Sequence, residues 1–176
     1  LDSRFVITTN FDKIYETYCL STSQEGFKVV TYNSESLIDE IRSDTRLIIK
    51  AHGTIDNINK MIFTRSQYHH AKREHSKFYE VLKALFITHT VVFIGCSLDD
   101  PDIQLILEDI NIIGSGIKPH YILIKEKQQN IYGLKDWRET YNICALEYGP
   151  NHDDLVTDLD ILLSEVNFIR SVQGNG

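Results

Sequence analysis

Short runs of apolar and β-branched residues alternate with longer amphipathic segments through almost the whole chain. The short runs predict strands at 5–10, 27–32, 47–51, 90–94, 120–124 and 142–148. The longer segments repeat apolar residues at spacings of three and four, which predicts helices at 12–21, 34–42, 66–88, 99 to near 114, 128–141 and 153–171. Such alternation is typical of parallel strands joined by helices. We therefore expect an α/β fold, a parallel sheet with helices on both faces.

The composition narrows the kind of protein that this chain forms. It has 176 residues, a net charge of -7 and 42% hydrophobic residues, which fits one globular domain over 1–176 and disfavours direct nucleic-acid binding. The most apolar region, 81–98, is interrupted by polar residues, so no membrane partner is expected. The widely separated cysteines predict neither a disulfide framework nor a zinc knuckle, and they favour a cytoplasmic location. They are Cys19, Cys96 and Cys144.

Four of the predicted strands end at polar residues or at glycine. The carboxyl ends of parallel strands lie along one edge of a sheet, and ligands bind there in folds of this class. We therefore expect four groups of residues to share one rim. These groups are Thr8, Thr9 and Asn10; His52 and Gly53; Gly95 and Ser97; and Lys125 and Glu126.

Each of these positions also has a purely structural interpretation. Asn10 is suited to cap the following helix, and Asp12 to complement its dipole. His52 could bond to backbone groups within a turn, Gly95 and Ser97 could form a tight turn, and the charged pair after the fifth strand could be solvated. As a ligand contact, Ser97 suits a neutral ribose better than a pyrophosphate, because acidic residues follow it closely. Their joint placement on four strand ends favours a functional interpretation.

The densest group of histidines does not have the spacing of a metal site. Ligands on one helix face lie three or four residues apart. His69, His70 and His75 are separated by one, five and six positions. We therefore expect a solvated, mildly basic helix face there, and no metal site.

Several of these residues form motifs that resemble a known family. Residues 8–12 read Thr-Thr-Asn-Phe-Asp, and 50–53 read Lys-Ala-His-Gly, about forty residues later. Gly-Cys-Ser-Leu follows at 95–98, with Asp-Pro-Asp-Ile at 100–103 and Phe-Thr-Arg-Ser-Gln-Tyr at 63–68. The combination and its order resemble the sirtuin-like NAD-hydrolase family, the bacterial branch of the sirtuin fold that is often found in anti-phage defence proteins.

The resemblance implies a Rossmann-like domain that takes NAD as its substrate and breaks the bond between nicotinamide and ribose. It assigns Asn10 to orient the nicotinamide end and the attacking water, Asp12 to support that pocket, and His52 to act as a base on a ribose hydroxyl. The cofactor-binding positions that it implies are Thr8, Thr9, Gly53, Gly95, Ser97, Lys125 and Glu126.

Two departures from the family shape these expectations. Protein-deacylating sirtuins carry four zinc-binding cysteines after the His-Gly motif, whereas 54–91 contains none, so we expect no zinc and favour NAD hydrolysis over deacylation. The family's glycine-rich strand and turn should precede residue 5, so we expect the C-terminal part of a domain, incomplete at its N-terminal side and inactive alone. We also expect regulatory domains or partner proteins in the parent. A homo-oligomer, an NAD- or ADP-ribose-sensing module and an NAD-dependent deacylase are left open.

Overall fold

The computed structural model describes residues 3–22, 26–98, 101–113 and 118–173. Strands and helices alternate along them as the sequence predicts. The elements are β1 (Phe5–Thr8), α1 (Ile14–Thr22), β2 (Phe27–Thr31), α2 (Leu37–Arg42), β3 (Arg46–Lys50), the 3-10 helix η1 (Ile55–Lys60), α3 (Arg65–Glu74), α4 (Ser76–Thr88), β4 (Val92–Phe93), α5 (Pro101–Ile113), β5 (His120–Lys125), α6 (Ile131–Thr140), β6 (Ile143–Tyr148) and α7 (His152–Gln173).

The described residues fall into two compact units, divided between Leu82 and Lys83 within α4. Each unit contains a three-stranded sheet in which every pair of neighbouring strands is parallel. The predicted α/β, Rossmann-like class, with parallel strands flanked by helices, is confirmed. The described strands form two three-stranded sheets, and the assignment of 1–176 to a single domain stays a prediction.

The sheet of the first unit has the order β1-β3-β2. Its central strand is the most apolar, with Leu47, Ile48 and Ile49 all buried. A strand with neighbours on both sides, covered on both faces, must be apolar at successive positions. The register pairs Thr8 of β1 with Lys50 of β3, so both strands end at the same level.

The sheet of the second unit has the order β4-β5-β6. Buried and half-buried residues alternate along its central strand, β5, where Ile122 and Ile124 form part of the core. The strand β4 is short, because only Val92 and Phe93 pair with β5. The strand predicted at 90–94 is therefore longer than the ladder that forms.

The prediction of one long helix at 66–88 is wrong. This segment forms two helices, α3 and α4, with a break at His75. The backbone of His75 leaves the helical region, with φ -121 and ψ 40, and its ring packs edge-on to Tyr32 at 5.3 Å between centroids. Buried residues on both sides of the break, such as Ala71 and Phe78, keep the helical spacing. One non-helical residue does not disturb that spacing, so the pattern does not reveal the break.

Side-chain caps mark two of the helix starts. Thr64 Oγ1 accepts from the Gln67 amide at 3.2 Å, and the Gln67 side chain accepts from the Thr64 amide at 3.0 Å, which completes a capping box for α3. The Asn130 side chain accepts from the amides of Tyr132 and Gly133 and begins α6. Gly133 therefore lies in the first turn and does not interrupt that helix. Asp99 and Asp100, where the helix predicted from 99 to near 114 begins, lie outside the described residues.

None of the helices in the described ranges combines the length and the apolar character needed to cross a membrane.

Candidate functional site

The corner between β1 and α1 carries the first two candidate residues. Thr8 Oγ1 accepts from the Asn10 amide at 3.1 Å, which tightens the turn directly after the strand. The carboxylate of Asp12 accepts from the Ile14 amide at 2.9 Å and so satisfies an amide at the start of α1. The capping contact of this helix therefore comes from Asp12, whereas the sequence assigned the cap to Asn10. The side chain of Asn10 is exposed at the corner.

The corner after β3 carries the candidate histidine. The backbone carbonyl of His52 accepts from the Ile62 amide at 3.0 Å, and the Gly53 amide donates to the Lys50 carbonyl at 3.3 Å. Gly53 has φ +90, and a Cβ at this position would lie 2.6 Å from the carbonyl oxygen of Lys60. Only glycine fits this conformation and this close approach. The His-Gly pair therefore turns the chain sharply where the strand ends, and it leaves the His52 side chain half-buried at that end.

The two corners lie side by side because β1 and β3 are neighbours in the sheet. The Ala51 amide donates to the Thr8 carbonyl at 2.9 Å, which extends the ladder to the last residues before both turns. Asn10 and His52 each follow the register pair of Thr8 and Lys50 by two residues. Two of the four strand ends that the sequence singles out therefore lie side by side in the sheet of this unit.

Further contacts join the segment after β1 to the segment after β3. The Ile55 amide donates to the Phe11 carbonyl at 2.9 Å, and the rings of Phe11 and Phe63 lie 4.7 Å apart. An exposed ion pair joins Lys13 to Asp56 at 2.8 Å. These contacts hold the residues around Asn10 and Asp12 against the loop that begins at His52.

A buried ion pair lies directly beneath the two corners. The Lys50 side chain is fully buried, and its Nζ lies 2.7 Å from Oε1 of Glu16, a residue of α1 that is 4% exposed. The same ammonium donates to the backbone carbonyl of Asp12. The apolar spacing that predicts α1 favours an inner face with Ile14 and Tyr18, yet these are 76% and 64% exposed. Sequence reasoning therefore missed Glu16, although a lysine directly after three core residues of β3 was an available signal for a buried partner.

The other candidate residues follow two neighbouring strands of the second unit. Gly95, with φ +67, and Ser97 are exposed after β4, and a Cβ at Gly95 would meet no atom within 4 Å. Lys125 ends β5, and the Glu126 amide donates to the Tyr148 carbonyl at 2.8 Å. Glu126 pairs with the exposed Lys127 at 2.8 Å, and this hydrogen bond raises the pKa of Lys127 above its usual value. That these residues share one rim with Asn10 and His52 stays a prediction.

The part of the chain that the structure describes contains no candidate metal site. No three side chains of histidine, cysteine, aspartate or glutamate come close enough together there to hold an ion. His69 and His70 are exposed on α3, and His75 lies at the break that follows it.

Comparison with known proteins connects these corners to a family. Residues 4–146 match the SIR2-like domain family. Among curated relatives, NAD(+) hydrolase ThsA of Enterococcus faecium is 29% identical over 142 residues, which cover 77% of this chain and 29% of that protein. NAD(+) hydrolase ThsA of Cytobacillus dafuensis is 25% identical over 126 residues, covering 71% of this chain and 25% of that protein. Defense-associated sirtuin 2 of Bacillus subtilis is 29% identical over 122 residues, covering 66% of this chain and 12% of that protein.

The chain thus spans less than a third of the length of these relatives. The family match covers both corners and extends through the two units to β6. It confirms the resemblance carried by residues 8–12, 50–53 and 95–98. The chain belongs to the SIR2-like domain family.

Proposed function

We propose that this chain is the NAD-binding and NAD-hydrolysing part of its protein and that it releases nicotinamide. The proposal rests on one observation. β1 and β3 are neighbours in the sheet and end at the same level, so the Asn10 and His52 corners lie side by side. Relatives that match two thirds or more of this chain bear the name NAD(+) hydrolase. The name of a further relative refers to defence. We therefore propose a role in bacterial anti-phage defence, in the cytoplasm, under control of regulatory domains or partner proteins.

The residue types at the two corners suit the chemistry. Departure of nicotinamide leaves an oxocarbenium-like sugar, as in glycoside hydrolysis. A neutral imidazole at His52 can accept a proton from a ribose hydroxyl or from water near neutral pH. The carboxamide of Asn10 can donate and accept at once, so it can hold the attacking water without adding charge. The carboxylate of Asp12, bonded to the Ile14 amide through one oxygen, has the charge to stabilise the developing cation.

The remaining candidates are proposed to hold the nucleotide. The open surroundings of Gly95 leave room for a ligand to approach the backbone in the second unit. Gly53 packs against the Lys60 carbonyl, and it is proposed to shape the turn that faces the ligand. Ser97 is proposed for a ribose hydroxyl. The complete set proposed for binding is Thr8, Thr9, Gly53, Gly95, Ser97, Lys125 and Glu126.

Nicotinamide release by the full-length protein that contains this chain tests the proposal. His52→Ala and Asn10→Ala should each lower the rate by about 100-fold or more, because each removes a group that acts on the reacting atoms. The matched controls are His70→Ala and Asn59→Ala, which change exposed residues of the same unit and should keep the wild-type rate. Chromatography of the products against time measures all four variants.

The other activities left open by the sequence predict different results in the same experiment. Wild-type activity in His52→Ala contradicts the proposal. Binding of NAD or ADP-ribose with no nicotinamide release would identify a sensing module. Nicotinamide release that requires an acyl-lysine peptide would identify a deacylase.

A further inference from the structure

The buried ion pair between Lys50 and Glu16 lies where the candidate site is assembled. Lys50 is the last residue of β3, two positions before His52. Glu16 lies in the first turn of α1, which begins just after Asp12. The pair therefore joins the strand that leads to the histidine with the helix that follows the asparagine and the aspartate.

The two groups that accept hydrogen bonds from the Lys50 side chain both belong to the segment after β1. The ammonium carries three N–H donors. One donates to the carboxylate of Glu16 at 2.7 Å and another to the backbone carbonyl of Asp12. One side chain of β3 thus fixes the position of a backbone atom between Asn10 and α1. A shift of this carbonyl would move Asn10 and Asp12 relative to His52.

Stability alone does not explain why charges occupy these positions. Removing an ammonium and a carboxylate from water is costly, and well-packed apolar residues at the two positions would often be as stabilising or more so. The preceding residues of β3, Leu47, Ile48 and Ile49, are apolar and buried. The strand therefore changes from apolar to charged at Lys50, whose side chain reaches the β1–α1 corner.

We propose that Lys50 and Glu16 are positioning residues, which hold the Asp12 backbone so that Asn10 and Asp12 keep a fixed geometry with respect to His52. This inference rests on the proposed function, because it concerns the same site. Both side chains are buried, so the ion pair acts through the segment that it holds. A small displacement of such groups is enough to lower a rate by about 100-fold.

The test uses the full-length protein and separates positioning from folding. Lys50→Met removes the ammonium, and the double variant Lys50→Met with Glu16→Leu replaces the whole pair by apolar side chains. Because the double variant leaves no unpaired buried charge, we expect its melting temperature to return to near the wild-type value. Its kcat for nicotinamide release should remain about 100-fold low, as in Lys50→Met, while KM for NAD changes by less than about threefold.

A second ion pair of the same unit provides the matched control. Lys28 of β2 pairs with Glu40 of α2, so it also joins a strand to a helix, but it lies near the start of its strand. Lys28→Met should keep the wild-type kcat and KM. A conservative variant, Glu16→Gln, retains an acceptor for Lys50 and should lose less of kcat than Glu16→Leu does.

The outcomes distinguish this inference from the proposed function. Recovery of both melting temperature and kcat in the double variant would show that the pair only fills space, and failure of the double variant to fold would show that the fold itself requires it. Either result overturns the positioning role. If His52→Ala is inactive and Lys50→Met keeps full kcat, only the positioning role is wrong. If His52→Ala keeps full activity, the proposed function itself is wrong.

Discussion

Lys50 and His120 are buried polar side chains at opposite ends of equivalent strands. Each lies on the central strand of a three-stranded parallel sheet, Lys50 as the last residue of β3 and His120 as the first residue of β5. Lys50 is fully buried and bonds to a carboxylate and a carbonyl. His120 is 2% exposed, and its Nδ1 accepts from the Val91 amide at 3.1 Å.

The difference between the two ends indicates different roles. Ligands bind beyond the carboxyl ends of parallel strands, so the charged Lys50 lies next to the candidate site. His120 lies at the amino end of β5, where its neutral ring packs edge-on to Phe86 at 5.6 Å and satisfies the amide of Val91 just before β4. We therefore expect changes at Lys50 and Glu16 to alter both activity and stability, and changes at His120 to alter stability alone.

The largest effect on stability is expected at Glu16. Glu16→Leu leaves the Lys50 ammonium buried without its carboxylate, and removal of one partner from a buried pair costs about 3–5 kcal/mol. Urea unfolding of the 176-residue chain measures this difference. Lys28→Met, at a half-exposed lysine, should cost less than about 1 kcal/mol. If Glu16→Leu and Lys28→Met lost the same free energy of unfolding, the buried pair would stabilise the chain no more than the surface pair does.

A smaller effect is expected at the glycines that follow β3 and β4. Gly95→Ala meets open space, so it should cost only the left-handed backbone conformation, about 1–2 kcal/mol. Gly53→Ala adds an overlap with the Lys60 carbonyl and should cost about 3 kcal/mol. Thermal unfolding of both variants checks the order. A larger loss for Gly95→Ala would show that the close approach at Gly53 relaxes easily.

Local patterns in the sequence predict much of the fold and both corners of the first unit. Apolar runs locate the strands, and the polar or glycine residues after them locate Asn10, His52 and Gly53. A turn with a positive φ and a close backbone contact requires glycine, so a single sequence is enough to predict such a turn.

Features that depend on contacts between distant elements were not predictable in this way. Apolar spacing predicts α1 but does not identify its buried residue. Glu16 is buried and Ile14 is exposed, because Lys50 of β3 supplies a charged partner. The division of the strands into two sheets also depends on pairing between segments that are distant in sequence. Periodicity within one segment contains no information about either.

The smallest effect, a dependence of stability on pH, is expected at His120 because it arises from a single proton. Burial lowers the pKa of His120 below its ordinary value of 6.5, so the folded chain keeps this ring neutral at a pH where the unfolded chain protonates it. The free energy of unfolding therefore decreases as the pH falls below 6.5, by at most about 1.4 kcal/mol per pH unit.

His120→Gln removes the titrating group but offers a carbonyl to the Val91 amide, so this part of the pH dependence should disappear. His70→Gln, at an exposed histidine, should retain it. Urea unfolding at pH 7.5 and at pH values below 6.5 measures the three proteins. If His120→Gln lost stability on acidification as steeply as wild type, the protonation of another group would be responsible, and the neutral His120 would contribute to the second unit only through packing and its bond to Val91.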